Sequence, residues 1–235
     1  MIAFAPVVEP AGRWTVLRDD LVPGGTKRRF LPTVLAGIDC DELVYAGPPE
    51  GYAQLALGHV ARDLGLKVHY FVAARNDEHP TVTRGRQLGV IYHRVRPGYL
   101  GVVEARAREF AAESPRRHLL PLGMHTAPFL VAAIDTLGQI AGEINETPSE
   151  VWIAAGSGLL ASVLAVVFPC PIRAVAVGRP PKVPAGVTVY DYPTEFGKPS
   201  RRRPPYPSVA NFDAKVWDIA LDRAQPGALI WNVGS

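Results

Sequence analysis

Cysteine is scarce: the 235-residue chain has two, Cys40 and Cys170. Neither stands at a metal-ligand spacing with the other or with a histidine, so the sequence offers no metal centre and no disulfide framework. Two buried thiols in a reducing compartment are the expectation. Long hydrophobic runs are missing as well. No stretch reaches the roughly 18 apolar residues that a membrane span needs. The N-terminus lacks a basic segment followed by an apolar run. The chain therefore reads as cytoplasmic and unprocessed, with no membrane partner. Net charge is only +3, which does not by itself argue for nucleic acid. No internal repeat is visible.

What is present suits one large or two small α/β domains, with 48% hydrophobic and 20% charged residues. Strand-like and helix-like segments alternate. Strands are expected at 14–17, 43–46, 68–73, 90–95, 118–122, 151–155, 173–177, 187–190 and 228–233. Helices are expected from residue 27 and over 51–64, 81–88, 100–113, 127–145, 158–168 and 210–223. Such alternation predicts mostly parallel sheets flanked by helices. Ligands in such sheets bind beyond the carboxyl ends of the strands.

The stretch from Arg18 to Leu31 organises the rest. A strand runs into the charged bend Arg18-Asp19-Asp20, and Pro23-Gly24-Gly25 makes a tight turn. Thr26 is placed to cap the helix that follows. Two glycines before a helix start let the backbone approach a bound group, and the first N–H groups favour an anion. Lys27 then stands as an ion partner, as an amine for Schiff-base chemistry, or as part of a solvated Lys-Arg-Arg run.

Arg18-Asp19-Asp20 followed by Gly24-Gly25-Thr26-Lys27-Arg28-Arg29 resembles the lysine segment of aminocyclopropane-carboxylate deaminase and D-cysteine desulfhydrase. These are fold type II, or tryptophan-synthase-β-like, enzymes of pyridoxal 5'-phosphate (PLP). Their pattern is R-x-D-D, then G-G-N-K-x-R-K, with Thr26 here in place of Asn. The resemblance implies a shortened α/β architecture of two open, mostly parallel sheets. Residues 1–41 and 114–235 would form the larger, cofactor-binding domain, and 42–113 a small three-stranded one. It also implies a homodimer, and Lys27 as the residue that carries PLP.

Further segments extend the resemblance. Gly156-Ser157-Gly158 lies between a strand and a helix, where the family has its phosphate loop G-[ST]-G-G-T. Leu159 and Leu160 replace the last Gly-Thr. Backbone N–H groups of such a turn cradle a phosphate, and tight packing through small residues is the alternative. In the family's G-G-I-Q-S-N-[HQ] loop, Gly51 and Tyr52 replace Ser and Asn, and Tyr52 becomes a candidate hydrogen-bond donor or acid. Pro121 to Pro128 resembles a substrate loop and carries His125, a candidate acid or base. Tyr192 and Glu195 match residues beside the pyridine ring, where Tyr192 would stack and Glu195 would hold the ring nitrogen protonated. At the C-terminus Asn232 and Val233 replace His-Thr near that nitrogen.

The implied activity is PLP chemistry at the α-carbon of a small amino-acid substrate, of the lyase, deaminase or decarboxylase kind. Two alternatives stand beside it. Short phage-borne members of the family are thought to process amino acids attached to hypermodified DNA bases. The run Arg201-Arg202-Arg203 would then contact DNA phosphates, in the cytoplasm of the host cell. The other alternative is a binding module that kept the fold and lost the chemistry.

Overall fold

The structure is a computed structural model and describes residues 4–144 and 146–234. Its strands are β1 (Val8–Ala11), β2 (Trp14–Arg18), β3 (Glu42–Ala46), β4 (Lys67–Ala73), β5 (Ile91–Val95), β6 (Arg117–Leu120), β7 (Val151–Ala155), β8 (Ile172–Ala176), β9 (Thr188–Asp191) and β10 (Leu229–Asn232). The helices are α1 (Lys27–Leu35), α2 (Ala53–Leu64), α3 (Pro80–Gln87), α4 (Leu100–Ala112), α5 (Ala127–Gly142), α6 (Leu159–Val167) and α7 (Ala214–Arg223).

Two sheets form, as expected. The larger has six strands in the order β1-β2-β10-β7-β8-β9, the smaller four in the order β5-β4-β3-β6. Every pairing is parallel except β1 with β2. The central strand β7, Val-Trp-Ile-Ala-Ala, is buried along its whole length. That continuous apolar run is what a parallel strand covered on both faces requires.

Three features depart from the sequence reading. Strand β1 was not expected. It is a short, mostly exposed edge strand containing Pro10, and proline is tolerated only at such an edge. The small sheet has four strands, because β6 pairs with β3 through Leu43↔His118 and its neighbours. The small sheet therefore reaches to Leu120, past the limit of 113 drawn from the sequence. Finally, α7 starts at Ala214 and leaves residues 210–213 in a turn, with the Phe212 N–H donating to the Val209 carbonyl at 3.0 Å. Of the expected helix 127–145, the structure shows Ala127–Gly142, and Asn145 lies outside the described residues.

The main core joins the two sheets. Phe30, Leu31 and Leu35 of α1 share one buried cluster with Leu57 and Val60 of α2, Leu137 of α5 and Leu164 of α6. A second cluster lies under α7 on the other face of the large sheet, and a third under α4 on the small one. The first cluster fixes α1, and with it Lys27, against both sheets. Among the described residues no helix is long and apolar enough to cross a membrane. Cys40 is buried and Cys170 half-buried, both as free thiols.

Candidate active site

The site is built where the carboxyl ends of β2, β10, β7 and β3 meet. The turn before α1 is held from inside by two buried acids. Asp19 is fully buried. Its Oδ1 accepts from Arg29 Nε at 2.8 Å and Nη2 at 2.6 Å. Its Oδ2 accepts from Thr26 Oγ1 at 2.6 Å and Trp231 Nε1 at 2.9 Å. Asp20 accepts a bidentate pair from Arg18, both bonds 2.8 Å, and a third from Asn232 Nδ2 at 2.7 Å. Arg18 also pairs with Glu9. The Arg-Asp-Asp motif thus supplies fixed acceptors, and charge-assisted bonds of this kind hold geometry well. Thr26 does not cap α1 with its side chain, because its hydroxyl is spent on Asp19.

Gly24 and Gly25 both take positive φ, 94° and 73°. A Cβ on Gly24 would stand 2.8 Å from Ala56 Cα, and one on Gly25 would collide with the Val233 carbonyl oxygen. Only glycine lets the turn pass between α2 and the end of β10.

Three side chains with chemistry converge beside this turn. Desolvation lowers the Lys27 amine below the ordinary lysine value, and the Asp213 carboxylate opposes that shift. Asp213 is buried and pushed up to about 8, chiefly by desolvation and despite hydrogen bonds from the Val233 and Gly234 N–H groups. The Gly234 bond to Asp213 Oδ2 is 3.2 Å. Tyr52 completes the group: a Cβ on Gly234 would stand 2.7 Å from its ring. An uncharged amine is the form that attacks a carbonyl carbon.

The expected phosphate turn lies at the end of β7. Gly158 has φ 94° and begins α6, and a Cβ there would collide with the Lys182 carbonyl. His125 sits against this turn, with Nδ1 3.2 Å from the Ser157 carbonyl and Nε2 3.4 Å from Ser162 Oγ. Ser157 Oγ accepts from the Leu159 N–H at 3.4 Å, and Gly123 is packed against the Ser157 side chain. The 121–126 and 156–160 turns are therefore one unit. Gly156 faces the ring of Phe212, 3.6 Å from where its Cβ would be. Leu159 is buried, whereas Leu160 is half-buried against the core.

The other expected residues have the following partners. The Tyr192 hydroxyl donates to Asp218 Oδ2 at 2.5 Å and accepts from the Arg201 N–H at 3.0 Å, while its ring packs under α7. Glu195 has an exposed side chain, and its carbonyl accepts from Lys215 Nζ at 2.9 Å. Asn232 gives its amide to Asp20 and to the Pro207 carbonyl, the latter at 2.8 Å. In the arginine run, Arg202 pairs with Asp218 and, at 2.6 Å, with Asp222. All three arginines are exposed, and Arg202 is the one that these two pairs tie to α7.

Buried polar side-chain atoms without a hydrogen-bond partner concentrate between Thr194 and Asn232. Nine occur among the described residues, and six of them belong to Thr194, Ser200, Ser208, Asn211, Asp213 and Asn232. Buried polar groups are normally satisfied, so a cluster of orphans marks a surface suited to a polar ligand. Sequence reasoning missed Ser208, Asn211 and Asp213. The signal was Asn-Phe-Asp immediately before the apolar rhythm of α7, which reads as a helix start.

No protein-family model matches the chain, and no curated protein matches its sequence. Its fold does match solved structures. It is the fold type II architecture of PLP enzymes. The chain is similar to an ACC deaminase homologue, at 17% identity and a TM-score of 0.85 over 99% of this chain and 90% of the other. It is also similar to an O-acetylserine-dependent cystathionine β-synthase from Helicobacter pylori, with 16% identity, a TM-score of 0.66, and 100% and 97% of the two chains covered. The processed form of a threonine deaminase from Solanum lycopersicum matches at 13% identity and a TM-score of 0.71, covering 99% of this chain and 80% of that one.

Proposed function

We propose that this chain is a PLP-dependent enzyme that acts at the α-carbon of an amino acid or an amino-acid conjugate, by elimination, deamination or decarboxylation. The single observation that carries the reading is Lys27. Its amine is desolvated and depressed in pKa, on a turn locked by Asp19 and Asp20 at the carboxyl ends of parallel strands. The residues present fit the cofactor. Lys27 would hold it covalently, and the Gly156 to Leu160 turn at the start of α6 would hold its phosphate. The glycines at 24, 25 and 158 let both turns pack closely on the chain's own backbone, against Ala56, the Val233 carbonyl and the Lys182 carbonyl, which fixes their N–H groups in place. When bound, PLP supplies an electron sink for the bond broken at the α-carbon.

The chain's own residues do the rest. Asp19 and Arg29 hold the turn in register, so the amine of Lys27 keeps one direction. Burial favours the uncharged form of that amine. Tyr52 stands beside Gly25 and Gly234 and is the candidate to hold or move a proton at its hydroxyl. His125 positions the phosphate turn through Ser157 and Ser162. Structural neighbours whose names include threonine deaminase and diaminopropionate ammonia lyase support the general kind of reaction. Free thiols at Cys40 and Cys170 suit a cytoplasmic setting.

The test is to titrate the purified chain with PLP and follow the visible absorbance of the bound cofactor. A panel of amino acids is then assayed for released ammonia, oxo acid or carbon dioxide. The expected result is stoichiometric binding that Lys27→Ala abolishes, with turnover of at least one amino acid. No bound cofactor in the wild type, or equal binding in Lys27→Ala, would overturn the reading.

A further inference from the structure

Among the described residues, one buried carboxylate oxygen lacks a partner, and it belongs to Asp213. The residue is 3% exposed. Its other oxygen is fixed by the Gly234 N–H, so the free oxygen has one defined direction. We propose that Asp213, and not Glu195, is the carboxyl group of the Lys27 site: a positioning residue whose free Oδ1 faces the bound molecule and whose protonation is tied to that of Lys27.

The argument begins with the other acids nearby. Asp19 carries four hydrogen bonds and Asp20 three. Asp19 has no acceptor site left for a ligand, and Asp20 is held bidentately by Arg18. Glu195 is exposed to solvent, where water and salt screen its charge. Asp213 stands on the turn before α7, tied to the chain just past β10, whose Val233 carbonyl nearly touches the Gly25 turn. The groups that face Asp213 are Lys27 from α1, Asp20 from the turn after β2, and Tyr206 from the loop before α7. Lys27 is the one cation among them. Asp20 is already neutralised by Arg18.

Desolvation disfavours the charged form of each partner, lowering Lys27 and raising Asp213. Two such groups titrate as a pair. A carboxyl kept protonated by its surroundings can also donate a hydrogen bond to a ring nitrogen or to a substrate heteroatom, which an exposed carboxylate cannot.

This inference rests on the PLP reading, and its first test is made without cofactor. The apo protein is treated with a trace of an amine-reactive reagent across a range of pH, and the Lys27 peptide is quantified by mass spectrometry. Asp213→Asn keeps an oxygen for the Gly234 N–H and removes the titrating proton. The expected result is a fall in the Lys27 midpoint of about one pH unit, the size a nearby opposite charge produces. In PLP titrations, Asp213→Asn should weaken binding about tenfold and shift the absorbance maximum of the bound cofactor, while Glu195→Gln leaves both unchanged. Asp213→Glu, which keeps the charge, should retain the wild-type midpoint, and circular dichroism checks that each variant is folded. An unchanged Lys27 midpoint in folded Asp213→Asn would overturn the proposal. So would a Glu195→Gln variant that weakens PLP while Asp213→Asn does not. A coupled Lys27 midpoint in a chain that binds no PLP would sink the cofactor reading and leave the pair intact.

Discussion

Two regions flank Lys27, and they are built on opposite principles. On one side, the Asp19-Asp20 bend places its charges in complete networks, with Arg29, Thr26 and Trp231 around Asp19 and Arg18 and Asn232 around Asp20. On the other, Ser208, Asn211 and Asp213 bury polar atoms that no protein group meets. The first arrangement is what a brace needs, because a satisfied buried network is rigid. The second is costly in an empty protein, since each buried polar group without a partner costs roughly 1–3 kcal/mol. The difference separates the residues that hold the site from those that read a ligand.

The largest effect should come from breaking the brace. Asp19→Ala strands the Arg29 guanidinium and should cost about 3–5 kcal/mol, the usual penalty for leaving a buried charge unpaired. Urea unfolding measures it, and a loss under about 1 kcal/mol would mean that Asp19 is no brace. Next, Gly158→Ala places a Cβ against the Lys182 carbonyl at positive φ and should cost about 1–3 kcal/mol. Gly65→Ala, also at positive φ but with nothing within 4 Å, should cost only about 1 kcal/mol. The gap between them reports how tightly the turn before α6 is packed.

On the ligand-reading side the sign should reverse. Asp213 has its folded pKa raised to about 8 from 3.8. It therefore weakens the fold progressively as pH rises from its unfolded value toward and past 8, where the unfolded chain has already released the proton. Asp213→Asn should stabilise the cofactor-free protein by about 1 kcal/mol at neutral pH, as replacement of functional groups often does. Equal or lower melting temperature would contradict this.

A smaller effect lies in the small sheet. His69 Nδ1 is 2.9 Å from His93 Nε2, and desolvation lowers the pKa of both. Their folded values lie below the unfolded 6.5, so the unfolded chain takes protons first. Stability is full above about pH 6.5 and is lost as pH falls through that value toward the folded ones. His93→Phe should flatten this acid limb in melts taken at several pH values.

Much of the brace was legible in the sequence. Arg18-Asp19-Asp20 and Gly24-Gly25-Thr26-Lys27 stand close together in the chain, and their local turn chemistry can be read directly. The alternation of strands and helices was equally clear, because each central strand is a short apolar run between breakers. The ligand-reading side was not legible. Asp213 reaches Lys27 only through the pairing of β10 with β2, and its sequence context is that of an ordinary helix start. The partner of the Tyr192 hydroxyl left no local mark either, because packing under α7 takes it to Asp218, 26 residues away. The arginine run looked free for phosphate because pairing of Arg202 with Asp218 and Asp222, 16 and 20 residues away, leaves no local mark.

The most direct test is to load the protein with PLP, reduce it with borohydride, digest it and locate the added mass. The expected result is a single adduct on the peptide that carries Lys27, absent from Lys27→Ala. An adduct confined to Lys67, Lys182, Lys198 or Lys215, or no adduct at all, would contradict the assignment of Lys27 as the residue around which the site is built.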